Sequence, residues 1–183
     1  MDSIKIGNLI SRTASKNSDL LAKPVSRYLS EHKDLDQFLG VVEIDSIISD
    51  TTSFCEAYKV TSAQAGNCVI LKGVKNGQEI YTACLVLAST KADVNGVIKK
   101  HLDAQKLSFA PPDEAVKLTK MEFEAITPIG LPEDWVILID SKVIETENII
   151  IGSGIRKSKI LIKGKALLSI KNAQIIKDIA KMR

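Results

Sequence analysis

The sequence predicts an α/β chain of the α+β type, with a mixed, mainly antiparallel central sheet flanked by helices. Short β-branched runs such as Trp135–Ile139, Ile149–Ile151 and Ile160–Ile162 have strand length and strand composition. Asn76-Gly77 separates two further runs and suits the positive φ angles of a tight hairpin turn, which makes those strands antiparallel. Helical periods lie among the strands without the regular strand–helix–strand alternation of a doubly wound parallel sheet.

The elements follow in order. Ser, Asn and Lys dominate residues 1–19 and no apolar period persists there, so this stretch reads as a flexible extension before a single domain over residues 20–183. Leu20 to His32 reads as a helix, with Leu21, Val25, Tyr28 and Leu29 on one side. Gly40 breaks the chain before a short strand at Val41-Val42-Glu43-Ile44. Ser53 to Glu56 and Thr61 to Gln64 each have the spacing of a capping box, which predicts two short helices. Cys68–Leu71 and Glu79–Leu87 form the hairpin. Asp93 to Leu102 is expected to be helical, turning Val94, Val97, Ile98 and Leu102 inward. Pro111-Pro112-Asp113-Glu114 starts another helix, because proline suits a first turn and carboxylates favour the positive end of the helix dipole. After the three apolar strands, a last helix is expected near Ala173–Lys181.

Composition narrows the function classes. No apolar run approaches the roughly 20 residues of a membrane span, and Met1 to Gly7 holds no apolar stretch of signal-peptide length. Cys55, Cys68 and Cys84 form no C-x-x-C pair, so free thiols in a reducing cytoplasm are expected and a metal site lacks its usual spacing. The glycines match neither G-x-G-x-x-G nor the phosphate loop. From Arg156 onward nine basic residues face the single acid Asp178, a local charge of +8 in a chain whose total is +3. Such a concentration favours a polyanion such as RNA, or else marks a solvated helix face.

Lys72 ends the apolar strand Val69-Ile70-Leu71, where an ammonium either neutralises a phosphate or oxyanion over a pocket or snorkels into water. Ala125-Ile126-Thr127-Pro128-Ile129-Gly130-Leu131-Pro132 is a loop stiffened by two prolines and freed at Gly130: a ligand loop or a plain turn. Gly152-Ser153-Gly154 forms either an opposing wall or a tight turn between strands, with Arg156 in reach of a phosphate. Asp140 is expected to be a turn or hydrogen-bonding residue. His32 and His101 have no partner at a suggestive spacing and are expected to be exposed.

Taken with Asn67-Cys68-Val69-Ile70-Leu71-Lys72-Gly73, these stretches resemble the YbaK family of aminoacyl-tRNA deacylases, which includes the prolyl-tRNA synthetase-associated domain. The likeness runs roughly from Val41 to Leu168 and includes Asp50-Thr51-Thr52-Ser53-Phe54-Cys55. It implies a freestanding trans-editing enzyme that hydrolyses the ester between a mischarged small amino acid and the terminal adenosine of a tRNA, often the proline tRNA. Its implied partners are mischarged tRNA and an aminoacyl-tRNA synthetase, and it implies no metal or other cofactor. It also implies that Lys72 is the lysine of the substrate site, and that the amides of Ala125, Ile126, Thr127, Pro128, Ile129 and Gly130 line the aminoacyl pocket opposite Gly152, Ser153, Gly154 and Arg156, proline itself carrying no N–H. A tRNA hydroxyl would help position the attacking water. One position departs from the family's Gly-x-x-x-Pro loop: Glu124 stands where its glycine is expected, either as a water-positioning base or as a solvated carboxylate. That departure motivates a rival reading, a non-catalytic tRNA- or synthetase-binding module of the same fold. A hydrolase of small nucleotide esters is a third.

Overall fold

The computed structural model describes residues 3–48 and 51–182. The chain begins with β1 (Lys5–Ile6), β2 (Leu9–Ile10) and β3 (Arg12–Thr13), then α1 (Lys23–Glu31), α2 (Lys33–Asp36) and β4 (Leu39–Glu43). Helix α3 (Thr51–Tyr58) precedes the hairpin of β5 (Gly66–Lys75) and β6 (Gln78–Leu87). Next come β7 (Thr90–Ala92), α4 (Lys99–His101), β8 (Lys106–Phe109), α5 (Pro112–Thr119), β9 (Val136–Asp140) and α6 (Ser141–Glu145). The last strands are β10 (Asn148–Gly152), β11 (Ser158–Lys163), β12 (Ala173–Ile176) and β13 (Ala180–Met182).

Two sheets carry the fold. One has the order β12-β9-β6-β5-β8 and the other β10-β11-β4-β3. Pairing is antiparallel except along β6-β9-β12, and a lone parallel bridge between Ala65 and Ile150 joins the sheets. The hairpin turns where expected, with Asn76 at φ 51° and Gly77 at φ 76°.

Strand periodicity sorts the apolar side chains into separate cores. Ile137 and Ile139 of β9, Ile149 and Ile151 of β10, and Ile160 and Ile162 of β11 face a central core with Leu85, capped by Val25 and Leu29 of α1. Leu138 points the other way with Leu71 and Cys84, onto Val94, Ile98 and Leu102. Ile150 and Leu161 leave the far face of the second sheet and meet Phe54.

Residues 1–19 do not form a loose extension where they are described. Ile4, Ile6 and Leu9 are buried against Phe54, Ile150 and Leu161, and Gly7 packs at φ 55° on the carbonyls of Tyr58 and Lys59. These strands are two residues long, too short to leave a period in the sequence. The expected C-terminal helix is likewise replaced by strands: β12 runs parallel to β9, and β13 runs antiparallel to β7. Asn172 and Asp178 adopt positive φ at the bends, and the β-branched pair Ile175-Ile176 suits an edge strand better than a helix.

Three expectations change in detail. Val94–Ile98 is a single π-helical turn leading into α4, although Val94, Ile98 and Leu102 do turn inward. Ser53 lies inside α3, not at its start. Thr61 and Gln64 do form a reciprocal capping box, around a single 3-10 turn. Helix α5 starts at Pro112 as its prolines and acids predict. Asp50 of the motif lies outside the described residues.

Candidate functional site

The site is organised where the 122–126 loop crosses the end of β10. Gly152 faces the same side of its sheet as Ile150, and a Cβ there would collide with the carbonyl oxygens of Ala125 and Ile126. The amide of Gly154 donates to the Ala125 carbonyl at 2.8 Å, and that of Glu122 to the Gly154 carbonyl at 2.8 Å. Glycine at 152 therefore allows two backbones to touch, and the space the sequence reading left beside it for a ligand is taken by the loop itself.

Beside this crossing lies a cavity of about 490 Å³, within the usual size of a small-molecule site. Gly66, Cys68 and Ile70 of β5 form one side, Gly152 and Ile126 another, while Phe109 and Phe123 line it from β8 and from the loop. Glu124 lies at this cavity with φ 66°, the left-handed region that a glycine would occupy freely. Its carboxylate lies 3.7 Å from the Arg156 guanidinium, which also donates to the Ser46 carbonyl.

The expected site residues divide. Ala125, Ile126 and Gly152 converge at the crossing and, with Glu124, border or directly support the cavity. Thr127, Pro128 and Ile129 turn into the protein and are buried, and Gly130, at φ 79°, packs on the Pro24 carbonyl. Ser153 is structural: its hydroxyl bonds the Ser158 hydroxyl at 2.7 Å, and its carbonyl accepts from Ala22. Gly154 and Arg156 line a larger adjoining groove, bordered also by Lys23, Arg27, Lys120 and Lys157. The Glu124–Arg156 pair stands between groove and cavity.

Lys72 does not line the cavity. It shares a strand face with Cys68 and Ile70 but lies further along, where its ammonium meets Glu114 at 2.8 Å and Glu79 at 2.9 Å, above the Tyr81 ring. Glu114 and Glu79 raise its pKa, and it in turn lowers theirs. Tyr81 donates to Glu114, which together with burial pushes its hydroxyl to about 12. This cation is already held by two anions.

The cation that does line the cavity is Lys159 of β11, a residue the sequence reading passed over. It stands directly across the ladder from Gly152, and its ammonium lies 5.4 Å from the Phe54 ring centre. Among the described residues no carboxylate comes within 4.0 Å of it. Burial lowers its pKa, and Glu124 opposes that shift from a greater distance. The available signal was a lysine on the inward face of the strand Ser158-Lys159-Ile160-Leu161-Ile162, two positions from the fully buried Leu161.

Asp140, the two histidines, Cys55 and Cys84 do not line the cavity, whereas Cys68 does. Asp140 caps α6, accepting from Lys142 at 3.0 Å, and burial raises its pKa. His32 is half-buried on Tyr28 with ring centres 4.0 Å apart, whereas His101 is exposed and bonds Gln174. The three thiols are free, and burial pushes each upward, Cys84 to about 12. Among the described residues no helix is long and apolar enough to cross a membrane.

The fold has solved counterparts. A structure described as a candidate trans-editing enzyme for prolyl tRNA synthetase is similar at a TM-score of 0.72 and 20% identity, over 85% of this chain and 94% of that one. The structure of a hypothetical protein is similar at a TM-score of 0.74 and 14% identity, over 87% of this chain and 100% of that one. No curated protein matches significantly in sequence. Residues 47–170, which contain the cavity's β5, loop and β10–β11 walls, match the family described as the aminoacyl-tRNA editing domain, and the chain belongs to that family.

Proposed function

We propose that this protein is a freestanding trans-editing deacylase, hydrolysing the ester that joins a wrongly attached small amino acid to the terminal adenosine of a tRNA, with the proline tRNA as the first candidate. The observation that carries the reading is the meeting of the Glu124–Ile126 loop with Gly152 beside a cavity that Lys159 also lines. Membership of the editing-domain family and the likeness to a candidate prolyl trans-editing protein support it. An editing site answers a physical limit, since one methylene is worth only about 1–3 kcal/mol in a synthetase pocket.

In the reaction, water adds to the ester carbonyl and the resulting oxyanion collapses with cleavage of the acyl C–O bond. The ribose hydroxyl leaves protonated, giving free amino acid and uncharged tRNA. The chain's part is to hold the acylated ribose against the loop backbone and to set a positive charge near the developing oxyanion or the adjacent phosphate. Lys159 supplies that charge inside the cavity. Lys72 is the second candidate, and a substrate displacing Glu79 and Glu114 would have to free it first.

A panel of mischarged tRNAs incubated with wild type, Lys159→Met and Lys72→Ala tests the reading. Deacylation by wild type, abolished in one lysine variant, supports the enzyme and assigns the cation. Salt-sensitive tRNA binding with no deacylation on any tRNA supports the non-catalytic module instead.

A further inference from the structure

The chain has four phenylalanines, and two of them line this one cavity while remaining exposed, Phe109 at 53% and Phe123 at 54%. The cavity is thus lined by two half-exposed phenylalanines in a protein whose aromatic content is only 4%. Neither is carried on slack chain. Phe109 ends β8, paired in register with Leu71. Phe123 lies between Glu122, whose carboxylate accepts from the Arg156 amide at 2.6 Å, and Glu124, tied to the Arg156 side chain.

We propose that Phe109 and Phe123 form a stacking platform for the terminal nucleobase of the acylated strand, an extension that rests on the deacylase reading. A flat π-face satisfies exposed rings without needing hydrogen bonds, which suits a base that is identical on every tRNA. The charges beside the rings select the occupant. Lys159 lines the same cavity, and the Glu124–Arg156 pair lies at its border, so an aliphatic chain would strand ionic groups. A nucleotide brings an aromatic base and an anionic backbone together, and the adjoining groove carries Lys23, Arg27, Lys120 and Lys157 for the strand that follows.

The test measures binding of a non-hydrolysable, amide-linked aminoacyl minihelix, with and without its terminal base. The proteins are wild type, Phe109→Leu, Phe123→Leu and the double variant, with far-UV circular dichroism and Tm confirming the fold. Leucine keeps the apolar bulk and removes the π-face. In wild type, deleting the base weakens binding about 5- to 100-fold, and the double variant loses most of that dependence. Equal base dependence in wild type and double variant, or none in wild type, overturns the platform. Because no turnover is required, base-dependent binding without hydrolysis would sink the deacylase reading alone. Hydrolysis with base-independent binding would sink only the platform.

Discussion

Lys159 and Gly152 face each other across the β10–β11 ladder, the lysine lining the cavity and the glycine leaving room for the loop beside it. Removing the ammonium should therefore cost more activity than removing the better-paired Lys72. Lys159→Met is expected to lower deacylation about 100- to 1,000-fold, in line with loss of one charge-stabilising donor. Single-turnover rates on the best mischarged tRNA would measure it. A Lys159→Met enzyme as fast as wild type would remove this residue from the mechanism.

The pH dependence follows from the same residue. Burial lowers the Lys159 pKa below the ordinary 10.5, so its charge disappears earlier on the alkaline side than that of an exposed lysine. Enzyme-dependent deacylation, corrected for spontaneous ester hydrolysis, should fall across that range. Lys159→Arg should hold the charge and push the falling limb to higher pH. For stability the sign reverses: the unfolded state binds the proton more tightly, so the penalty of burying this ammonium is relieved as pH rises from the lowered value toward 10.5.

Glu124→Gly should stabilise the fold and ease substrate entry. A non-glycine residue in the left-handed region costs about 1–2 kcal/mol, and glycine returns part of that as chain entropy, leaving a net gain of about 1 kcal/mol. The ion pair lost is partly exposed on both sides and contributes little. Urea midpoints compare the stabilities, and KM for mischarged tRNA reports the entry. A fall in stability would show that Arg156 depends on Glu124 for its position.

Gly152→Ala should separate the loop from the sheet. Its Cβ meets two backbone carbonyls that have no rotamer to escape into, so about 1–3 kcal/mol of destabilisation is expected, together with loss of deacylation. Gly77→Ala is the control, because nothing lies within 4 Å of a Cβ there, although its φ of 76° still imposes backbone strain. Thermal unfolding of the two variants, alongside activity, distinguishes site damage from general strain.

Lys72 is expected to stabilise the fold at neutral pH and to lose that effect in acid. The pKa values of Glu114 and Glu79 are lowered by it, so their contribution is present above the ordinary carboxylate value of about 4.5 and is lost as pH falls through their depressed values. Wild type should exceed Lys72→Met in urea midpoint at pH 7, and the gap should close in acid. A gap independent of pH would point to packing of the lysine stem.

Which features could be read from the sequence depended on the length scale of their cause. The hairpin at Asn76-Gly77 and the helix start at Pro112 are determined by neighbours within a few residues, and both are found there. Gly152 stood out because glycine is conspicuous where a backbone is approached closely, but that the approaching group is the Ala125 carbonyl and not a ligand is set by the tertiary fold. Lys159 was hidden because its role comes from register: only the pairing of β10 with β11 sets it opposite Gly152. Lys72, prominent at a strand end, is diverted by Glu79 and Glu114, acids that the sheet and α5 bring from elsewhere in the chain. The strands near Ala173–Lys181 were unreadable for a similar reason, since their partners β9 and β7 lie 30 or more positions upstream.

The lone parallel bridge between Ala65 and Ile150 has a consequence for biosynthesis. The β5–β6 hairpin can close soon after it is translated, but β10 and β11, which supply Gly152 and Lys159, follow it only after several further elements. A nascent chain stalled before that point would display its hairpin without the cavity. The cavity would then wait on the emergence of β10 and β11, so a copy stalled before them would lack the site proposed to act on aminoacylated tRNA.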